Sequence, residues 1–140
     1  MSNQTDLDKI AVGDEIPSLE KHPTTQQLVM WAGASGDYNP IHYDKDFALA
    51  RGLPGVVVHG QLSTAFICQM LSDWYGRKGS LTKLNVSYKG LNFPGDTLTC
   101  RGIVREKLDG GLIALDVRVE NQRGEKTVTG TALVKLRGRD

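Results

Sequence analysis

The chain predicts an α+β domain in which one long apolar helix is wrapped by a curved antiparallel β-sheet. Two observations carry that reading. Residues 56–75 are the most apolar stretch, with Leu62, Ala65, Phe66, Gln69, Met70 and Trp74 on one helical stripe and Ile67 and Leu71 beside it. After Gly76 the period changes to two. Leu84, Val86 and Tyr88 alternate, as do Leu98, Cys100, Gly102 and Val104, then Ile113, Leu115, Val117 and Val119, and last Val128, Ala132, Val134 and Leu136. Period two is the pattern of strands with one buried face.

The elements follow in chain order. Residues 1–9 are polar and read as a flexible leader, leaving residues 10–140 as a single domain. Val12-Gly13-Asp14-Glu15-Ile16-Pro17 is a turn into a short extended piece. Thr24 or Thr25 caps a helix through residues 26–32, with Leu28, Trp31 and Ala32 on one face. Gly33 and Gly36 stop it. Asp44 caps a short helix over residues 45–50, and residues 51–55 are a loop. The helix within residues 56–75, roughly 18 residues and about 27 Å long, is apolar around most of its girth and therefore buried. Gly76 ends it. Phe93-Pro94-Gly95-Asp96, Asp109-Gly110-Gly111 and Asn121-Gln122-Arg123-Gly124 supply meander-like turns between antiparallel strands. Wrapping a bent sheet around the helix is the simplest packing, and that is the hot-dog fold. One helix cannot cover a wide sheet, so a dimer is expected.

Composition narrows the function. With 17 basic and 16 acidic residues the net charge is +1, without the clustered basic face of a nucleic-acid binder. No apolar run approaches the roughly 20 residues of a membrane span, and the N-terminus lacks a signal-peptide core, so a cytoplasmic protein is expected. Cys68 and Cys100 form no disulfide framework and read as reduced core residues. The three histidines match no zinc spacing, so no metal is expected.

The chemistry concentrates in Ser35-Gly36-Asp37-Tyr38-Asn39-Pro40-Ile41-His42. Gly36 allows a sharp turn before Asp37, and Pro40 biases Asn39 to extended backbone. The segment is neither regular helix nor strand. It projects a carboxylate and an imidazole from a stiff loop, and the two can grip and deprotonate one water molecule. Gly-Asp and Asn-Pro are also plain turn formers. All of these residues in this order favour the catalytic reading over the turn.

A second cluster, Val56-Val57-Val58-His59-Gly60-Gln61-Leu62-Ser63, opens the long helix. Amides at a helix N-terminus can bind an oxygen that gains negative charge, and Gly60, with no side chain, lets a ligand approach them closely. His59 reads as a structural residue at the helix start and is not assigned to proton transfer.

The string S-G-D-x-N-P-[ILV]-H resembles the active-site pattern of the MaoC-like (R)-specific enoyl-thioester hydratases and 3-hydroxyacyl dehydratases. The run His59-Gly60-Gln61-Leu62-Ser63 is similar to that family's H-G-M-L-[ST], and Phe93-Pro94-Gly95-Asp96-Thr97-Leu98 to its P-x-x-x-G-D-x-L turn. The resemblance implies that Asp37 and His42 are the catalytic pair and that the Gly60 backbone amide is the oxyanion donor. Asn39 and Ser63 support them, Ser63 through a hydrogen bond to the loop. Gln61 stands where Met is usual, which bears on acyl preference. The implied reaction is reversible hydration of a trans-2-enoyl thioester to an (R)-3-hydroxyacyl thioester, with no metal and no redox cofactor. The implied substrate is an acyl-CoA or acyl-carrier-protein (acyl-ACP) thioester, bound by a homodimer, a higher homo-oligomer or a paired heterodimer. Lys83, Lys89, Arg101 and Arg105 are candidates for phosphate contacts. Two other readings stay open. One is a partner subunit that shapes another chain's substrate channel; the other is a hot-dog thioesterase.

Overall fold

A computed structural model describes residues 7–138. Residues 1–6 of the expected leader lie outside the described residues, and Leu7–Lys9 form a single 3-10 turn with Leu7 against the core. The chain then runs β1 (Leu19–Lys21), α1 (Thr25–Ser35), α2 (Lys45–Ala50), α3 (Gly60–Tyr75), β2 (Gly79–Tyr88), β3 (Leu98–Leu108), β4 (Leu112–Glu120) and β5 (Lys126–Leu136). The strands form one antiparallel sheet in the order β1-β3-β4-β5-β2, curled around α3 in the expected hot-dog arrangement.

The period-two runs become the inner face of that sheet. Leu98, Cys100, Gly102 and Val104 of β3 are buried, as are Ile113, Leu115, Val117 and Val119 of β4 and Val128, Ala132, Val134 and Leu136 of β5. Each fully buried aliphatic side chain here contributes about 1.5–3 kcal/mol. β2 departs from the pattern. Leu84 and Val86 are half-buried and Tyr88 is exposed, because β2 is an edge strand whose register shifts between Leu81 and Lys83.

Two of the three expected turns are hairpins, joining β3 to β4 and β4 to β5. The third is not. β2 pairs with β5 alone and lies at the opposite side of the sheet from β3, so residues 89–97 cross the sheet end instead of closing a hairpin. Asp96 accepts the Phe93 amide within this crossing, and Gln122 ties Asp96 and Thr97 to the β4–β5 turn. The extended piece expected near residue 15 exists as well. Gly13 and Ile16 donate to β3 carbonyls before β1 begins.

The long helix is shorter at its start than its apolarity suggests. Residues 56–59 are extended: the Val57 amide donates to Ile41 and the Val58 amide to Asn92. Three consecutive β-branched residues favour that conformation. α3 therefore spans 16 residues, buries Leu62, Ser63, Phe66, Ile67, Met70 and Leu71, and leaves Gln69 exposed. Gly76 ends it with φ 56°, followed by the 3-10 turn Gly76–Lys78.

The other caps follow the sequence closely. The Thr24 hydroxyl accepts the Gln27 amide at 3.1 Å, and the Asp44 carboxylate accepts the Phe47 amide at 3.1 Å. α1 runs through Gly33 and stops at Gly36, whose φ of 78° only glycine adopts freely. Both cysteines are free thiols. Cys100 is buried, which pushes its pKa up to about 12, and Cys68 is half-buried. Among the described residues no helix is long and apolar enough to cross a membrane.

Candidate functional site

The loop of residues 37–42 is stiffened by a relay of short polar side chains. Ser35 Oγ accepts the Asp37 amide at 3.2 Å, Asp37 Oδ1 accepts the Asn39 amide at 3.3 Å, and Asn39 Oδ1 accepts the Ile41 amide at 3.3 Å. Each acceptor captures the N–H two residues on, which fixes the turn without regular structure. Pro40, with its preset φ, then opens the 3-10 turn Pro40–His42. With Oδ1 engaged, Asp37 turns Oδ2 toward His42.

His42 is held from behind. Its Nδ1 lies 2.7 Å from the Val57 carbonyl oxygen. A carbonyl only accepts, so Nδ1 carries the proton, and in the neutral ring Nε2 carries the lone pair. That Nε2 faces Asp37 Oδ2 at 3.7 Å. The His42 side chain is 9% exposed and that of Asp37 42% exposed, so the pair joins the interior to solvent. The gap is too long for a direct hydrogen bond. A water oxygen about 2.8 Å from both atoms would donate one proton to each acceptor, with its own lone pairs free.

His59 backs the pair. Its ring stacks on His42 with centroids 3.7 Å apart and planes 18° apart, and its Nε2–H donates to the Asp37 carbonyl at 3.3 Å. The residue is fully buried, and Nδ1 has no hydrogen-bond partner. Burial, then the neighbouring His42, hold its pKa below the usual histidine value, so the ring is neutral near pH 7.

Asp37, His42 and His59 bring ligand-type atoms within 4.8 Å of one another. Two of the four ring nitrogens are engaged elsewhere, one on each ring: His42 Nδ1 with the Val57 carbonyl and His59 Nε2 with the Asp37 carbonyl.

Asp37 and His42 open on a cavity of about 420 Å³ that Gly60, Gln61, Ser63 and Asn92 also help to line. The first bonds of the α3 ladder are made by the Leu62 and Ser63 amides to His59 O, which leaves the Gly60 and Gln61 amides without intrahelical acceptors. Tyr88 lies over Gly60: a β-carbon there would stand 3.0 Å from the phenol ring. The Tyr88 hydroxyl is 2.8 Å from Thr64 Oγ1. A second cavity of about 480 Å³, with Tyr43, Lys45 and Phe93 in its walls, holds neither Asp37 nor His42.

The sequence-predicted residues therefore meet, with differences in detail. Asp37, His42, Gly60 and Ser63 share one cavity, and Asn39 braces Asp37 from behind. Ser63 bonds Asn92 of the crossing between β2 and β3, with Asn92 Nδ2 donating to Ser63 Oγ at 3.2 Å, instead of the loop of residues 37–42. Arg101 and Arg105 pair with Glu120 and Asp116 on the outer sheet face, away from the cavity. Asn92 and Tyr88 escaped sequence reasoning. Asn92 sits in an aperiodic segment with no signal, and Tyr88 reads as an ordinary strand position.

Comparison with known proteins agrees with this geometry. The profile of a family described as "MaoC like domain" matches residues 9–132. The (R)-specific enoyl-CoA hydratase of Aeromonas caviae is 31% identical over 120 residues, covering 84% of this chain and 90% of that enzyme. Fatty acid synthase subunit beta of Aspergillus oryzae is 34% identical over 112 residues, and the chain spans only 5% of that much longer protein. Among solved structures, the unliganded R-hydratase PhaJ1 of Pseudomonas aeruginosa has a TM-score of 0.90 at 25% identity, covering 96% of this chain and 86% of that one. With the profile matched over residues 9–132, which hold α3 and most of the sheet that build the cavity, the chain belongs to the MaoC-like family.

Proposed function

We propose that the chain catalyses reversible hydration of trans-2-enoyl thioesters to (R)-3-hydroxyacyl thioesters. The observation that carries this reading is the pair of facing acceptors, Asp37 Oδ2 and His42 Nε2, 3.7 Å apart at the cavity wall. A water between them points its oxygen into the cavity. As that oxygen bonds to C3 of the enoyl group, one member of the pair takes a proton from the water. The C2–C3 π electrons move toward the thioester carbonyl, and charge collects on its oxygen. The Gly60 amide, at the positive end of α3, supplies a donor for that oxygen. Collapse of the enolate takes a proton at C2 from the pair. The net change adds one water, and the enzyme returns to its starting protonation state.

A single wall carries both groups that handle protons, so water and proton reach the same face of the substrate. The likeness to the A. caviae enzyme over 90% of its length supports the (R) outcome. The acyl group is carried by coenzyme A or an acyl carrier protein, and nothing in the reaction requires a metal or redox group. The free edge of β2, with exposed Tyr88 and Leu91 beside the cavity, supports a homodimer.

The test is direct. Purified protein with crotonyl-CoA should lose enoyl-thioester absorbance and yield the (R)-3-hydroxy product on a chiral column. Release of free thiol without hydration would replace this reading with thioester hydrolysis. Activity appearing only with a second chain added would replace it with a partner-subunit role.

A further inference from the structure

We infer that His59 is a positioning residue that locks the Asp37/His42 pair to the start of α3 and holds His42 in one tautomer. This inference rests on the hydratase reading for its kinetic consequence only.

Four observations on one side chain support it. His59 is the residue before the first turn of α3, so its backbone is continuous with the Gly60 amide. Its ring lies face to face with His42 at 3.7 Å. Its Nε2–H holds the carbonyl of Asp37. It is fully buried, yet Nδ1 finds no partner. A buried imidazole with an unmet acceptor is a poor core filler, since an apolar ring would fill the same volume without leaving a polar atom unpaired. The stack and the bond to Asp37 require an aromatic ring that also carries a donor.

The consequence is geometric. The His42 proton must stay on Nδ1, facing Val57, for Nε2 to accept from water. Ring rotation would break that arrangement, and a flat neighbour at stacking distance blocks it. The Asp37 backbone is fixed by the same residue, so one side chain sets both acceptors relative to the oxyanion amide. A neutral His59 serves this purpose without placing a positive charge against the His42 ring. His59 touches neither water nor substrate in this scheme and transfers no proton.

Three substitutions separate the contributions. His59→Phe keeps the ring and removes the donor; His59→Gln keeps a donor and removes the stack; His59→Ala removes both. Misplacement of acceptors by a fraction of an ångström should lower kcat about tenfold in the first two and about a hundredfold in His59→Ala, with KM within about threefold of wild type. The second readout does not depend on activity. Nitrogen-15 spectra of the histidine-labelled protein should show His42 as one tautomer, protonated at Nδ1, in the wild type. In His59→Ala its two nitrogens should shift toward a tautomer average while circular dichroism stays native. If His59→Ala fails to fold, the near-isosteric Phe and Gln variants carry the same comparison. A native-like variant that keeps kcat within twofold, or keeps the single Nδ1-H tautomer once both stack and donor are gone, overturns the inference. A tautomer shift in a protein that shows no hydratase activity at all upholds the positioning role and rejects the hydratase reading alone.

Discussion

Asp37 Oδ2 and His42 Nε2 stand 3.7 Å apart, each with its other polar atom already bonded, to the Asn39 amide and the Val57 carbonyl. Each group therefore has one free acceptor aimed at the same point. Asp37→Asn replaces that acceptor with a group that can present a donor, and His42→Ala removes the ring nitrogen. Each should lower kcat for crotonyl-CoA hydration by about 10²–10⁴-fold. Circular dichroism and the thermal midpoint should stay close to wild type for Asp37→Asn, whose side chain is partly exposed. Wild-type turnover in either variant rejects the pair.

The contact of Gly60 with the Tyr88 ring gives a steric test of the cavity. A methyl group at residue 60 keeps the backbone amide but crowds the ring at 3.0 Å. Gly60→Ala should cost about tenfold in kcat/KM, because the wall moves rather than the donor. Combining it with Tyr88→Ala removes the crowding. The double variant should recover part of the loss relative to Tyr88→Ala alone, measured as a double-mutant cycle. Simple additivity of the two losses would place Tyr88 outside the working cavity.

How much of this was legible in the chain depends on how local the cause is. The three strands of the meander, the caps at Thr24 and Asp44, and the stops at Gly36 and Gly76 are written in residues that act on their neighbours, and they appear where the sequence puts them. Asp37 and His42 are legible for the same reason: a loop of six residues braces itself. Non-local pairing is what the sequence hides. Whether Phe93-Pro94-Gly95-Asp96 closes a hairpin depends on which strand β2 chooses as its neighbour, and its choice of β5 moves the turn to a crossing. The extended start at residues 56–58 depends on Ile41 and Asn92, 15 or more positions away, offering acceptors that a helix would otherwise supply. The His59 stack is set by that same packing, and adjacency to Gly60 was its only trace.

Gly130 tests the sheet independently of the site. It pairs with Val86 across β5 and β2, and a β-carbon there would fall 2.0 Å from the Asn85 carbonyl oxygen. That oxygen belongs to the backbone and cannot swing away. Gly130→Ala should destabilise the fold by roughly 2 kcal/mol or more, read as a lower urea midpoint. Turnover per folded molecule at low temperature should change little, since neither residue touches the cavity. An unchanged midpoint would contradict the β2–β5 register.

Acid stability tests the neutral state of His59. Burial, foremost, and the nearby His42 set its folded pKa below the 6.5 of the unfolded chain. Between those two values the unfolded chain binds a proton that the folded chain does not. Stability then rises with pH across the window, and is lost as pH falls from about 6.5 toward the folded value, with a limiting slope of about 1.4 kcal/mol per pH unit. Below the folded value both states are protonated and the loss stops growing. Glu120 behaves differently. Its hydrogen bond from Arg118 lowers its pKa from 4.5, so its contribution is complete above about pH 4.5 and fades only in stronger acid. The loss from His59 sets in below about pH 6.5, before that from Glu120 begins. Urea midpoints measured from about pH 7 to about pH 5 should therefore decline in the wild type and stay flatter in His59→Phe, which has nothing to protonate there. Parallel declines in the two proteins would mean that His59 is charged in the folded state.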